Sequence, residues 1–142
     1  SNSIVRYLAR IHGKGSLEPS DPKAYGLANQ WMDWQLSVVA PAIFACFWGL
    51  IRTPAEKRDM AAITASQQKT TEAMAMLDAQ LARTAYVAGD AFSMGDIPVG
   101  VMVYRFRQLC PERPNMRHLE RWYAAIEKRQ AFQDHVGSIP LS

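Results

Sequence analysis

Cysteine and histidine are scarce in this sequence. Of its 142 residues, two are cysteine, Cys46 and Cys110, and three are histidine, His12, His118 and His135. The cysteines are far apart and sit among apolar or loop residues, so they make neither a disulfide framework nor a metal-ligand spacing. The histidines form no H-x-x-x-H pair, so the sequence offers no metal site. A reduced, cytoplasmic setting is the expectation. Charge of one sign is also short. Sixteen Lys and Arg stand against thirteen Asp and Glu, a net +3. The nearest approach to a basic cluster is Arg105, Arg107, Arg113, Arg117 and Arg121, and Pro111 and Pro114 interrupt it. That pattern reads as solvated charge rather than a nucleic-acid surface.

A membrane span is missing too. The longest apolar run, Leu36 to Ile51, covers sixteen residues, or about 24 Å of helix against the roughly 30 Å of a hydrocarbon core. Pro41 and Gly49 interrupt it, and the run predicts a buried, kinked central helix. There is no initiator Met and no charged segment leading into an apolar one, so no signal peptide is expected. Nor does any stretch alternate with period two for long enough to need a strand. The expected fold is all-α, a bundle of five to six helices around a buried central one.

What is present is helical punctuation. Ile4, Val5, Leu8 and Ile11 recur at helical spacing until Gly13 and Gly15. A chain that opens with a helix already under way looks like a piece of something longer. Ser20 or Asp21 can cap a second helix, with Pro22 in its first turn, running to Ile51. Thr53-Pro54-Ala55-Glu56 reads as a further start, of a helix reaching about Arg83 with Met60, Ile63, Met74, Leu77 and Leu81 as its apolar stripe. Gly89-Asp90 makes a turn. Three more helices are expected at Ser93 to Leu109, Met116 to Arg129 and Ala131 to His135.

The sharpest local signal runs from Tyr86 to Ile97. Ser93 can accept from the N–H of Asp96 while the Asp96 carboxylate reaches back to the N–H of Ser93, a capping box with Asp in place of Glu. Phe92 and Ile97 can close over it as a hydrophobic staple. Asp96 as a catalytic acid is the alternative, and the box already accounts for it.

Here the sequence resembles the glutathione S-transferase family. Gly89-Asp90, Phe92-Ser93 and Asp96-Ile97 look like the capping box and staple that open the buried helix of the family's C-terminal domain. Trp122-Tyr123 with Arg129 and Phe132 resembles the family's closing stretch, although Gln130 stands where a proline is usual. Asp33-Trp34 and Arg52-Thr53-Pro54 look like the bacterial members. Ser1-Asn2-Ser3-Ile4-Val5 is similar to the Ser-Asn-Ala-Ile-Leu motif in the last helix of the thioredoxin-like domain.

The resemblance implies a division of labour. Residues 1–15 would be the last helix of a thioredoxin-like domain, and residues 16–142 the helical C-terminal domain. The rest of the thioredoxin-like domain, missing here, would precede Ser1, bind glutathione as co-substrate and activate its thiol. No catalytic residue is then expected in this chain. Ser1 and Asn2 would contact glutathione, Ser1 through the γ-glutamyl carboxylate at a helix N-terminus. Asp33, Ser37, Ala40 and Phe44, on one face at spacings of four, three and four, with Pro41 beside them, would line the pocket for a small electrophilic acceptor. Core packing is the alternative for the apolar members, and for Trp31, Trp34, Trp48 and Trp122. The working state would be a homodimer engaged in detoxification. A non-catalytic helical module for protein–protein contacts is the second reading.

Overall fold

A computed structural model describes all 142 residues and contains helices and no strand. Helix α1, Asn2–His12, stops at Gly13, and Gly15 at φ +82° turns the chain through the left-handed region that favours glycine. Asp21 rather than Ser20 caps the next helix, accepting from the N–H of Ala24 at 2.8 Å.

Helix α2, Pro22–Arg52, is continuous but not uniform. Regular turns at Pro22–Trp34 and Ala40–Phe47 are joined by a wider π-type turn at Gln35–Val39, and a second such turn, Trp48–Arg52, ends it. The cause of the first lies in Pro41, which has no N–H for a carbonyl four residues back and whose ring crowds that carbonyl. The ladder loosens there, and the Ala40 N–H reaches the carbonyl of Gln35 instead.

This helix departs from the sequence expectation. It spans 31 residues, long and apolar enough to cross a bilayer by length and composition, and only 22% of its most apolar window is buried. Counting sixteen residues understated it, and it is not the buried centre of the bundle. Leu36, Phe44 and Trp48 are each at least half exposed.

A second correction concerns Thr53-Pro54-Ala55-Glu56. It opens a single 3-10 turn, Ala55–Lys57, and the chain is extended again at Arg58. The Arg58 guanidinium donates to the carbonyls of Leu50 and Thr53, at 2.8 and 3.1 Å, and so closes the end of α2. The true start is one turn later. Asp59 accepts from the Ala62 N–H at 3.0 Å and opens α3, Met60–Leu81. Ile63, Met74, Leu77 and Leu81 are buried as the stripe predicts, but Met60 is exposed.

The buried centre is α4, Asp96–Leu109. Val99, Gly100, Val103, Phe106 and Leu109 pack inward, and α2, α3 and α5, Arg117–Glu127, surround it. A short α6, Gln130–Phe132, runs on through the wide turn Gln133–Gly137. The architecture is therefore the expected all-α bundle, six helices of which one, α4, is the buried centre.

One glycine sets how closely the elements approach. At Gly95 a Cβ would lie 3.0 Å from the Cα and carbonyl oxygen of Ala28 and from a Val87 methyl. Two of those neighbours are backbone and cannot rotate away. Gly95→Ala should therefore destabilise the protein by about 2 kcal/mol through overpacking, measured by thermal or urea unfolding. An unchanged midpoint would show that α2 can retreat from the turn.

Candidate functional site

Two places bring together the residues singled out by sequence. One is the open face of α2. Asp33, Ser37, Pro41 and Phe44 are exposed and Ala40 is half-buried, as their helical spacing requires. The Ser37 hydroxyl donates to the carbonyl of Asp33 at 2.8 Å, so it is turned back on its own helix. Phe44 is 60% exposed and stacks on Trp48 with ring centroids 5.8 Å apart. Core packing is therefore excluded for Phe44 and for Trp48. Trp122 is buried, and Trp31 meets the half-buried Trp34 edge to face.

Asp33 is not free. The Arg6 guanidinium from α1 pairs with its carboxylate and also donates to Asn29 at 2.7 Å. No local pattern signals this contact, because the partners are 27 residues apart on separate helices.

Ser1 and Asn2 diverge. The Ser1 carbonyl accepts from Ile4 and Val5, while its side chain makes no capping bond. Asn2 is 2% exposed and points into the bundle, donating to the Met32 carbonyl at 2.7 Å and to Gln35 at 3.1 Å. Its side chain is a fastener between α1 and α2. Its Oδ1 and the indole N–H of Trp34 are buried without partners.

The second place is the turn before α4. Asp96 is fully buried. Oδ2 accepts from the Ser93 N–H at 2.9 Å and from the Ser93 hydroxyl at 3.2 Å. Oδ1 accepts from the Val87 N–H at 3.0 Å and from the Trp122 indole at 2.8 Å. One half of the box stands as written. The other is shifted, because the Ser93 hydroxyl accepts from Gly95 at 3.3 Å and not from Asp96. Burial pushes the Asp96 carboxyl above its ordinary range, and the four hydrogen bonds oppose that shift. With both oxygens engaged and no solvent contact, Asp96 has no access to a substrate and holds structure. Phe92 and Ile97 line one apolar cavity beside it.

The arginine cluster is spent internally. Arg107 and Arg113 both pair with Glu120, Arg121 donates to the carbonyls of Leu81 and Thr84, and Arg105 lies over Phe47. Asp78 is a cap the sequence did not disclose, since from α3 it accepts the N–H groups of His118 and Leu119, at 2.9 and 2.8 Å, at the start of α5.

Comparison with known proteins bears on both places. The family described as "Glutathione S-transferase, C-terminal domain" matches residues 60–125. The glutathione S-transferase GstB of Escherichia coli K12 is 39% identical over 145 residues, which cover all of this chain and 68% of that protein. A crystal structure of the theta class glutathione S-transferase from Xanthomonas axonopodis pv. citri, in its apo form, is 41% identical with a TM-score of 0.93, covering all of this chain and 75% of that one. The same enzyme with glutathione bound is 40% identical, also at 0.93, over 99% of this chain and 73% of that one.

Proposed function

Since the chain belongs to the glutathione S-transferase family, we propose that it supplies the acceptor-binding half of a glutathione transferase, with glutathione as co-substrate and a small electrophile as the second partner. In this reading residues 1–15 are the last helix of a thioredoxin-like domain that binds glutathione, and residues 16–142 are the helical domain. The enzyme is a cytoplasmic homodimer that works in detoxification.

The observation that carries the proposal is the open face of α2. It is apolar in its second half, polar at Asp33, and rigid because it lies on a helix. A pocket for an apolar electrophile needs those three properties. The glutathione thiolate attacks the electrophilic carbon, and as the S–C bond forms the bond from that carbon to the leaving group breaks, the leaving group taking the electron pair with it into solvent. Asp33, held by Arg6, marks the polar end of the face, where the charged parts of glutathione lie. Ser1, its hydroxyl uncommitted, sits at the N-terminus of α1, where a carboxylate is favoured.

Exposed apolar side chains support the assembly. Ile4, Tyr7, Leu8 and Ile11 on α1, and Leu36, Val38, Phe44 and Trp48 on α2, are exposed large apolar side chains, and such side chains gathered on a helix face mark interaction surfaces. The thioredoxin-like domain, the second subunit and the electrophile share the work of covering them. The interaction-module reading has less behind it, because the chain aligns from end to end with a transferase at 39% identity.

The test is a substrate series. In the complete enzyme, Ala40→Trp should lower kcat/KM for bulky electrophiles by about 1–3 kcal/mol of transition-state binding and leave small ones nearly unchanged. A uniform loss that tracks a lower melting temperature would instead make Ala40 a packing residue.

A further inference from the structure

Two thiols that lie far apart in the sequence meet inside the bundle. Cys46 is on the inward side of α2, and Cys110 caps the C-terminal end of α4. Both are free and buried, and their side chains are hydrogen-bonding neighbours. Cys46 is held by its surroundings as well. Its N–H donates to the Ser66 hydroxyl at 3.0 Å, and its Sγ lies 3.8 Å from the carbonyl oxygen of Leu109, the residue before Cys110. The chain holds no other cysteine, so each thiol has one possible partner within it.

The two sulfurs differ in access. Cys46 is fully buried, whereas Cys110 lines a cleft of about 420 Å³ between α3 and the loop after α4. Gln67, Gln68 and Thr71 form one wall of the cleft, and Glu112 and Arg113 stand beside Cys110 on the other. Such a polar lining admits a small water-soluble reagent to one sulfur and not to the other. The pair is also disposed to react. When one thiol loses its proton, the other S–H donates to the sulfur left behind. The first proton therefore comes off more readily than burial alone would allow, and the second is held. Arg113, which donates to the Cys110 carbonyl at 3.4 Å, favours negative charge on the cleft side.

We infer that Cys46 and Cys110 form a reversible oxidation site for hydrogen peroxide, with Cys110 the sulfur oxidised from the cleft and Cys46 the resolving thiol. The Cys110 thiolate attacks one peroxide oxygen, the O–O bond breaks, and the departing hydroxide takes up the thiol proton as water. Cys110 is then a sulfenic acid. The Cys46 sulfur attacks the Cys110 sulfur, the S–O bond breaks, and a second water carries away the Cys46 proton. Two thiols have lost two electrons and two protons, and one peroxide has become two waters. Bonding draws the sulfurs to about 2 Å apart. Cys110 can supply that movement, because the helix ends at it. The disulfide ties the second half of α2 to the exit of α4, and excess thiol restores the pair.

The test is peroxide treatment of the purified protein, then alkylation of the remaining thiols in denaturant and measurement of the intact mass. The parent should lose two hydrogens and both alkylation sites, its Cys46 and Cys110 peptides should be joined, and dithiothreitol should restore both sites. In Cys46→Ser the sulfenic acid has no partner, so dimedone should label Cys110. In Cys110→Ser, Cys46 should stay alkylatable and unlabelled. Melting curves establish that each variant is folded, and the parent result decides the disulfide without either. If the parent keeps both alkylation sites, or joins its cysteines only between chains, the site is refuted. Oxidation of Cys46 in the Cys110→Ser variant would refute Cys110 as the point of entry.

Discussion

Asp96→Ala should lower the unfolding free energy by about 3–5 kcal/mol, the largest single effect expected in this protein. The carboxylate is the common acceptor for the N–H groups of Val87 and Ser93 and for the indole of Trp122. Removing it orphans three buried donors, each worth about 1–3 kcal/mol when left unpaired, and water entering the gap returns only part of that. Asp96→Asn should recover part of the loss. Its oxygen can still accept, while its amide nitrogen turns a donor toward another donor. Ser93→Ala should cost less, since the hydroxyl makes only two bonds, at 3.2 and 3.3 Å. Urea unfolding of the three variants orders them. If Asp96→Ala unfolds with the parent, the network contributes nothing and the role assigned to it is wrong.

The 142-residue chain, purified and shown by circular dichroism to be helical, should leave the reaction of glutathione with a chromogenic electrophile at its uncatalysed rate. A thiol near pKa 8.5 is made nucleophilic at neutral pH by a nearby cation or hydrogen-bond donor aimed at the sulfur. The face of α2 offers neither. Its carboxylate, Asp33, would oppose thiolate formation if it were unpaired, its hydroxyl, Ser37, donates to its own helix, and the remainder is apolar. The effect expected on comparing this chain with a complete enzyme is therefore the whole of the catalysis. Turnover by the chain itself, removed by no change outside α2, would place thiol activation on this face.

Fold class was legible because helical sequences carry their own punctuation. The apolar stripe of α3, the proline and acidic cap that open α2, and the Ser93–Asp96 pair are each contained within one element or its entrance, and local periodicity and hydrogen bonding decide them. The misplaced start of α3 shows where that reading runs out. Thr53-Pro54 has every mark of an N-terminus, yet Arg58 turns back to the carbonyls of Leu50 and Thr53, and Asp59 opens the helix instead. Two competing caps lie six residues apart, and a side chain reaching to the preceding helix chooses between them.

The sequence by itself determined that the chain would be all-helical, with five to six helices, and that an acidic residue at position 96 would tie the entrance of one of them; it put the buried centre at Leu36 to Ile51, and the packing put it at α4. Tertiary structure alone decided which apolar residues remain outside. Leu36 to Ile51 is apolar on every side, so its composition could not distinguish the half that packs on α3 from the half that carries Phe44 and Trp48 into the open. The pairing of Arg6 with Asp33, the Asp78 cap on α5 and the meeting of Cys46 with Cys110 were equally closed to reading. Each joins residues from different elements, and their separation in space is set by how the helices cross, which no short window of sequence records.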